Sequence, residues 1–304
     1  FLLFCTYYVY NMLSIGGCVK KSKLNWKKGG HTLKYDLHVH TYYSDGLLSP
    51  KEVVDEAIKR GLDGIAITDH DTVLGLDEAI NYTKEFENFN VIPGIELSCI
   101  YEGDEVHLLG YFIDYKDERI LEVTKKLMDH RKLRGTRIVE KLRDLNIFLD
   151  IEKIKSKSDT DFIGRVAIAR QMIEQGYVSS IQEAFDRYLN PGMPAYVERY
   201  KISVKDAINL IKEVKGIPVL AHPGLLKDDR IIYYCIDKGI EGMECIHSKY
   251  SLNDIRRLKA IAKKHNLIIT AGSDCHGERN NGDLLLGRYF IDLKTIPKMK
   301  ERIR

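Results

Sequence analysis

The sequence predicts an α/β fold in which strands close into a parallel barrel and one helical insertion interrupts the barrel. Two observations favour this class. From Lys34 onward, short apolar runs of β type alternate with amphipathic helical patterns, as in βα units around a parallel sheet. Histidines and carboxylates follow several of these runs, at the position where barrel enzymes build their active sites.

The first βα unit is marked by a helix start signal. Ser49-Pro50-Lys51-Glu52 has an N-cap serine, a proline at the first helical position and a glutamate that closes a capping box. Gly61 ends this helix. The elements predicted next are a strand over 62–68, a helix over 76–87, a strand at 91–92 and a strand over 105–112.

Helix then follows helix without a convincing strand to about Leu189, and Ser180 with Glu183 caps one of these helices. The βα rhythm resumes at Ser203, and Ser251 caps a later helix. The later predicted strands cover 217–221, 242–246 and 267–271. We therefore expect an N-terminal leader over 1–33, a barrel formed by 34–114 and 200–304, and a helical insertion over 115–199 that acts as a substrate cap.

Composition excludes several function classes. The 304 residues are 44% hydrophobic, which suits a globular protein, and a formal charge of +3 provides no strong field for a nucleic-acid duplex or an anionic membrane. The six cysteines form no C-x-x-C pair, so we expect thiols and a cytoplasmic location. Cys18 follows a sequence that loosely resembles a lipid-attachment site, although a solvated leader is favoured there. The oligomeric state is left open.

Nine residues are candidate metal ligands. His38 and His40 alternate along a strand, so both imidazoles face one point. The other candidates mostly follow predicted strands, whose ends open on one face of a barrel. The full set is His38, His40, Asp45, His70, Glu96, His107, His222, Asp274 and His276. Because zinc takes about four ligands and octahedral ions about six, the set implies two or three ions.

A mixed shell of imidazoles and carboxylates favours Zn, Mn or Fe(II) over Ca or Mg alone. Several clustered divalent ions can hold a phosphate between them, and they turn bound water into hydroxide. The catalytic group predicted here is such a metal-bound hydroxide, held by the nine ligands. Phosphoester hydrolysis is therefore the leading reaction class.

Five motifs resemble those of the polymerase and histidinol phosphatase (PHP) family of metal-dependent phosphoesterases. They are D-x-H-x-H-T-x-x-S-D-G at 36–46, I-T-D-H-D-T at 67–72, P-G-I-E-L-S at 93–98, A-H-P-G at 221–224 and S-D-x-H-G at 273–277. The resemblance implies a distorted seven-stranded barrel with three metal ions. It assigns the first ion to His38, His40, Glu96 and Asp274, the second to Glu96, His107 and His222, and the third to Asp45, His70 and His276.

The insertion is similar to that of one family branch, the 5′-3′ exoribonucleases and nucleoside 3′,5′-bisphosphate phosphatases. The similarity lies in Gly164-Arg165, Ala169-Arg170 and the run from Glu183 to Val197. It implies a short single-stranded RNA or DNA, or a nucleotide, as substrate. Ala167 stands where the branch usually has histidine, and Met193 stands near its usual lysine, so the substrate assignment is weaker than the metal assignment.

Arg131, Arg134 and Arg165 are the candidate substrate-binding residues, because a guanidinium group matches two phosphate oxygens at once. Arg131 and Arg134 are three residues apart and share a helix face. Three other functions stay open: a phosphatase of small metabolites such as histidinol phosphate, an amidohydrolase-like metal hydrolase, and a noncatalytic metal-stabilised module. No lysine is placed to serve the amidohydrolase chemistry, and the complete ligand set disfavours the noncatalytic module.

Overall fold

The computed structural model describes residues 32–154 and 163–303. Most of the predicted leader, including Cys18, lies outside the described residues. Cysteines 99, 235, 245 and 275 are free and buried. In the described part of the chain, no helix is both long enough and apolar enough to cross a membrane.

Seven main strands form a nearly closed barrel. They are β1 Lys34–Val39, β2 Gly64–Ile67, β3 Asn90–Tyr101, β4 Asp104–Tyr111, β6 Ile217–Leu220, β7 Gly242–His247 and β8 Ile268–Gly272. Four strands of two residues each accompany them: β5 Ile202–Ser203, β9 Arg279–Asn280, β10 Asp283–Leu284 and β11 Ile291–Asp292. The sheet order is β11-β1-β2-β3-β4-β6-β7-β8, and the short β5 pairs with β3. β9 and β10 form a separate ribbon.

The two ends of this sheet meet just beyond β1 and β8. The backbone N–H of His40 donates to the carbonyl of Cys275 at 3.0 Å, and that of Asp274 donates to the carbonyl of His38 at 2.9 Å. These bonds bring the two ends of the predicted ligand set together. The predicted distorted seven-stranded barrel is confirmed.

The distortion lies in β4, which runs antiparallel to both β3 and β6. Glu102 and Gly103 form the turn between β3 and β4, both at positive φ (49° and 88°). The expectation of an all-parallel barrel is therefore wrong for this strand. The hairpin places His107 opposite Ser98, so a residue in the middle of β4 reaches the mouth formed by the ends of the other strands.

β3 is longer than its predicted two residues. It continues through Pro93 and Gly94, which resemble a turn signal in the sequence. A Cβ atom at Gly94 would lie 2.9 Å from the carbonyl oxygen of Ile67, so glycine is needed there for close approach of the backbones. Glu96 consequently lies inside the strand and does not follow it.

The helices surround the barrel and form the insertion. They are α1 Pro50–Lys59, α2 Leu76–Thr83, α3 Glu118–Asp144, α4 Ile151–Ile154, α5 Arg165–Glu174, α6 Ile181–Ala184, a π-helix Phe185–Leu189, α7 Val204–Glu213, α8 Asp229–Lys238, α9 Leu252–Lys264 and α10 Pro297–Lys300, with 3₁₀ turns at Pro223–Leu225 and Leu293–Thr295. The capping box predicted at Ser49 is present, and Ser251 forms another with Asp254.

The insertion has an apolar cluster of its own. Between β4 and β5, residues 112–154 and 163–201 contain helices and turns but no strand. Ile138, Leu142, Ile168, Met172 and Leu189 are buried against one another in a cluster separate from the two clusters around the barrel sheet. Hydrophobic burial therefore stabilises the insertion apart from the sheet that carries the candidate ligands.

Candidate metal centre

All nine predicted ligands lie at the mouth of the barrel. Most of them form three groups of donor atoms, and within each group all atoms lie within 4.8 Å of one another. The groups are His38, His40, Glu96 and Asp274; His40, Asp45, His70 and His276; and His70, Glu96 and His107. His222 lies outside these groups but beside the third, with its Nε2 2.9 Å from Glu96 Oε1 and 3.2 Å from His107 Nδ1. The convergence is observed, and the role of these residues as metal ligands stays a prediction.

The grouping differs in one respect from the one that the family resemblance implies. His40 and His70 each lie in two groups, and neither belongs to a single metal position. His40 Nε2 is 3.1 Å from Asp274 Oδ1, while its Nδ1 is 3.9 Å from Asp45 Oδ1. His40 therefore lies between two candidate metal positions.

Glu96 is the central carboxylate of the cluster. Its Oε2 lies 3.1 Å from His38 Nε2 and 3.2 Å from His40 Nε2, while its Oε1 lies 2.9 Å from both His107 Nδ1 and His222 Nε2. Burial alone would raise the pKa of Glu96, but the surrounding histidines hold it well below its usual value. An ionised carboxylate with each oxygen directed at a different group is suited to bridge two cations.

Three buried ring nitrogens indicate that the cluster fits metal ions. His40 Nδ1, His40 Nε2 and His70 Nδ1 make no well-directed hydrogen bond among the described residues, although His70 Nδ1 lies 3.2 Å from Glu96 Oε2. Burial lowers the pKa of His70 to about 3, so this ring is neutral at physiological pH. A buried polar atom without a partner costs about 1–3 kcal/mol, and a divalent ion would satisfy these nitrogens.

Asp45 and His276 form the outer edge of the cluster. His276 Nε2 lies 3.3 Å from Asp45 Oδ1. Burial opposes both charges, yet the pair stays ionised: His276 holds the pKa of Asp45 well below its usual value, and Asp45 raises the pKa of His276 to about 10. In the metal-free protein the proton on His276 therefore occupies a position that a metal ion would take.

The turn that carries Asp45 is fixed by the buried carboxylate of Asp69. The backbone N–H and the hydroxyl of Thr41 donate to Asp69 at 2.7 and 2.6 Å, and the hydroxyl of Ser44 donates at 2.7 Å. A carboxylate with three short donors holds its partners rigidly. The turn after β1 is thus set before any ion binds.

Two candidate ligands have an unusual backbone. His222 and Asp274 lie at φ +29° and +55°, in the region that L-residues rarely adopt. Neighbouring groups hold both in place: the N–H of Asp274 bonds the carbonyl of His38, and the N–H of His222 bonds Glu244 at 2.8 Å. Backbone strain of this kind clusters at functional sites.

Glu244 and His247 were missed by the sequence reasoning, although both contact candidate ligands. Glu244 is fully buried in β7, and its Oε1 accepts a hydrogen bond from His38 Nδ1 at 3.0 Å. His247, at the end of β7, has its Nε2 3.3 Å from Asp274 Oδ2. Burial opposes a charge on His38, but the carboxylates of Glu244, Glu96 and Asp274 raise its pKa well above the usual value. If a metal ion displaced the proton on Nε2, the bond to Glu244 would keep the other proton on Nδ1, as carboxylate partners of metal-binding histidines do.

The three predicted arginines have different surroundings. Arg131 is 8% exposed, and its Nη1 donates to the carbonyl of His70 at 2.6 Å. This contact supports the loop of a candidate ligand. Arg134 donates Nε to the carbonyl of Val197 at 2.7 Å, and Arg165 lies over the ring of Phe185 at 5.1 Å. All three arginines line one cavity.

This cavity has a volume of about 440 Å³ and lies against Asp45, His70 and His107. Residues of α3 and α5 also line it, so the cavity lies between the candidate metal centre and helices of the insertion. Ala167 also lines it. Arg199, which the sequence reasoning overlooked, also lines the cavity and forms a buried ion pair with Asp71.

Clustered imidazole and carboxylate donors beside guanidinium groups suit the hydrolysis of phosphate esters with bound divalent ions, and the chain is accordingly a metal-dependent phosphoesterase. Comparison with known families makes this specific. The model of the PHP domain matches residues 36–191, and the chain belongs to the PHP family. The family and the reaction class predicted from the motifs are confirmed.

Curated relatives and a solved structure agree with this assignment. The chain is 32% identical to the 5′-3′ exoribonuclease Rnm of Escherichia coli over 80% of its length and 85% of the relative's. It is 30% identical to a 3′,5′-nucleoside bisphosphate phosphatase of Chromobacterium violaceum, over 81% and 88% of the two chains. A crystal structure described as a metal-dependent phosphoesterase from Bifidobacterium adolescentis has a TM-score of 0.79 and 29% identity, covering 88% of this chain and 96% of that one.

Proposed function

We propose that the chain hydrolyses nucleotide phosphate esters, acting as a 5′-3′ exonuclease on short oligonucleotides, as a nucleoside 3′,5′-bisphosphate phosphatase, or as both. The observation that carries the proposal is the cavity of about 440 Å³, in which arginines of the insertion face the candidate metal centre. A substrate with a second phosphate would meet these arginines. The relatives named for oligonucleotide and bisphosphate hydrolysis support the same substrate class.

The three donor groups would hold two or three divalent ions, with Mn, Zn or Fe as the candidates. When bound, such ions polarise a phosphate and lower the pKa of water towards neutrality. Glu96, whose two oxygens face different histidines, would bridge two of them. His38 is oriented by Glu244, so its free lone pair has one defined direction.

Arg134 and Arg165 would form an anion-binding site. Burial, together with the neighbouring Arg165, lowers the pKa of Arg134 to about 9. The lowered pKa means that holding the positive charges of Arg134 and Arg165 close together costs free energy when no anion is bound. A phosphate bound between them would relieve their repulsion and form charge-assisted hydrogen bonds. Arg134 and Arg165 would therefore bind and orient the substrate.

A substrate panel tests the proposal. Protein of known metal content, supplied with Mn²⁺, is given a 5′-phosphorylated trinucleotide, adenosine 3′,5′-bisphosphate and histidinol phosphate. We expect mononucleotide from the first or inorganic phosphate from the second. Turnover of histidinol phosphate alone would move the chain to the small-metabolite phosphatases, and no turnover of any phosphate ester would refute the proposal.

A further inference from the structure

A second cavity adjoins the candidate metal centre at different ligands. It has a volume of about 260 Å³ and is bounded by Asp274 and His276, whereas the larger cavity is bounded by His70 and His107. The two cavities share Asp45, Val166 and Arg170, so they meet beside the cluster. A phosphate at the candidate metal centre would therefore face two separate spaces.

The presence of two cavities indicates how many organic substituents the scissile phosphate can carry. A phosphomonoester carries one organic substituent on phosphorus and fills one space, whereas a phosphodiester carries two. The walls of the second cavity come from α5, from the loop between β7 and α9, and from the chain after β8, so most of it is separate from the walls of the first. This arrangement favours a diester over a monoester as the largest substrate that fits the site.

The second cavity also carries cations suited to a nucleic-acid backbone. Arg170 and Lys249 line it. Arg170 is ion-paired with Glu278, but exposed Lys249 has no ion-pair partner within residues 32–154 and 163–303. The backbone N–H of Lys249 donates to His247 Nδ1 at 3.2 Å, and the other nitrogen of that ring contacts Asp274. The position of Lys249 is thereby linked to the candidate metal centre.

We propose that the second cavity binds the nucleotide on the 3′ side of the scissile phosphate, with Lys249 contacting the next backbone phosphate. The proposal rests on the proposed function and specifies its substrate. The 5′-terminal nucleoside occupies the larger cavity. Hydrolysis breaks the bond between phosphorus and O3′ of that nucleoside: water supplies hydroxyl to phosphorus and a proton to O3′, and the remaining strand keeps the phosphate as its new 5′ end.

The same geometry accounts for a bisphosphate substrate. In a nucleoside 3′,5′-bisphosphate the bond between phosphorus and O3′ breaks in the same way, and inorganic phosphate leaves. The second cavity then holds no nucleotide. The two activities named for the relatives therefore differ, in this chain, by the occupancy of one subsite.

The test compares Lys249→Ala with the wild-type chain on a 5′-phosphorylated trinucleotide and on adenosine 3′,5′-bisphosphate. We expect the ratio of kcat/KM for the trinucleotide to kcat/KM for the bisphosphate to fall about threefold or more, the size of an exposed charge pair. We also expect the slope of log kcat/KM against log salt for the trinucleotide to weaken by about 0.7, as for the loss of one single-strand phosphate contact.

Lys263→Ala is the matched control, since Lys263 is an exposed lysine on α9 that lines neither cavity. It should leave the ratio and the salt slope unchanged. An unchanged ratio and slope in Lys249→Ala would overturn the subsite, as would a wild-type chain that hydrolyses the bisphosphate but not the trinucleotide; the proposed function survives both results. A wild-type chain inactive on both substrates would instead overturn the proposed function and the subsite with it.

Discussion

Replacing Glu244 by glutamine should weaken metal binding without unfolding the protein. Glu244 is fully buried, and its oxygens accept two hydrogen bonds, from His38 Nδ1 at 3.0 Å and from the backbone N–H of His222 at 2.8 Å. Glutamine keeps only one acceptor oxygen. The backbone N–H of His222 can only donate, so the amide oxygen must face it and the amide NH₂ must face His38.

The magnitude follows from the state of the His38 ring. Facing an NH₂ group, Nδ1 must become the acceptor, which moves the ring proton to Nε2, the nitrogen 3.1 Å from Glu96 Oε2. His38 Nε2 then has no lone pair with which to bind a metal ion. We expect metal affinity to fall about 10–100-fold. The free energy of unfolding of the metal-free protein should fall by about 1–3 kcal/mol, because both contacts persist but the negative charge that raises the pKa of His38 is removed.

Competition between the protein and a chromophoric chelator for Mn²⁺ measures the affinity, and urea unfolding of the metal-free protein measures stability. Glu241→Gln is the control, since Glu241 lies just before β7 and pairs with an exposed lysine. Glu244→Ala should differ from the glutamine variant by destabilising the fold by about 2–6 kcal/mol, as two buried donors lose their partner. Wild-type metal affinity in Glu244→Gln would refute the reasoning.

Three further outcomes are expected. Asp274→Ala removes a donor from the first group, so kcat should fall more than about 100-fold with an unchanged far-UV circular dichroism spectrum; a lost spectrum would indicate a structural role instead. Arg165→Ala should raise KM about tenfold with little change in kcat in steady-state assays, and a pure kcat effect would contradict its binding role. The pKa values of His107 and His276 are raised to about 9 and about 10 in the metal-free protein, mainly by nearby carboxylates that outweigh burial. Metal binding near neutral pH should therefore release protons and tighten as pH rises, and calorimetry in buffers of different ionisation enthalpy would count them; equal heats in all buffers would be inconsistent with this.

The sequence predicted the elements whose structure depends on contacts between neighbouring residues. Ser49, Pro50 and Glu52 start α1 through contacts within four residues, and the predicted capping box forms. The direction and length of β3 and β4 depend on partners far along the chain. Pro93 and Gly94 resemble a turn, yet pairing with β2 on one side and β4 on the other continues the strand through them.

The residues of the candidate site also fall into those that the sequence predicted and those that depend on the tertiary fold. Strand alternation predicted that His38 and His40 face one point, and the position of most other candidates after predicted strands predicted that they meet at the barrel mouth. Glu244 was not predicted as a site residue because it lies within an otherwise apolar run. Its only sequence signal is a carboxylate at the centre of a predicted buried strand. The sequence shows that Arg131 lies on a helix, but the carbonyl of His70 that it bonds is brought there by the tertiary fold.

The separate apolar cluster of the insertion has a consequence for how such a protein can diverge. All nine candidate ligands belong to the barrel, whereas Ala167 and Arg165 belong to the insertion and line its cavity. A replacement at position 167 changes the wall of this cavity and leaves the donors in place. Substitutions in the insertion can thus alter which phosphate-bearing molecule the cavity accepts, while the candidate ligands on the barrel stay the same.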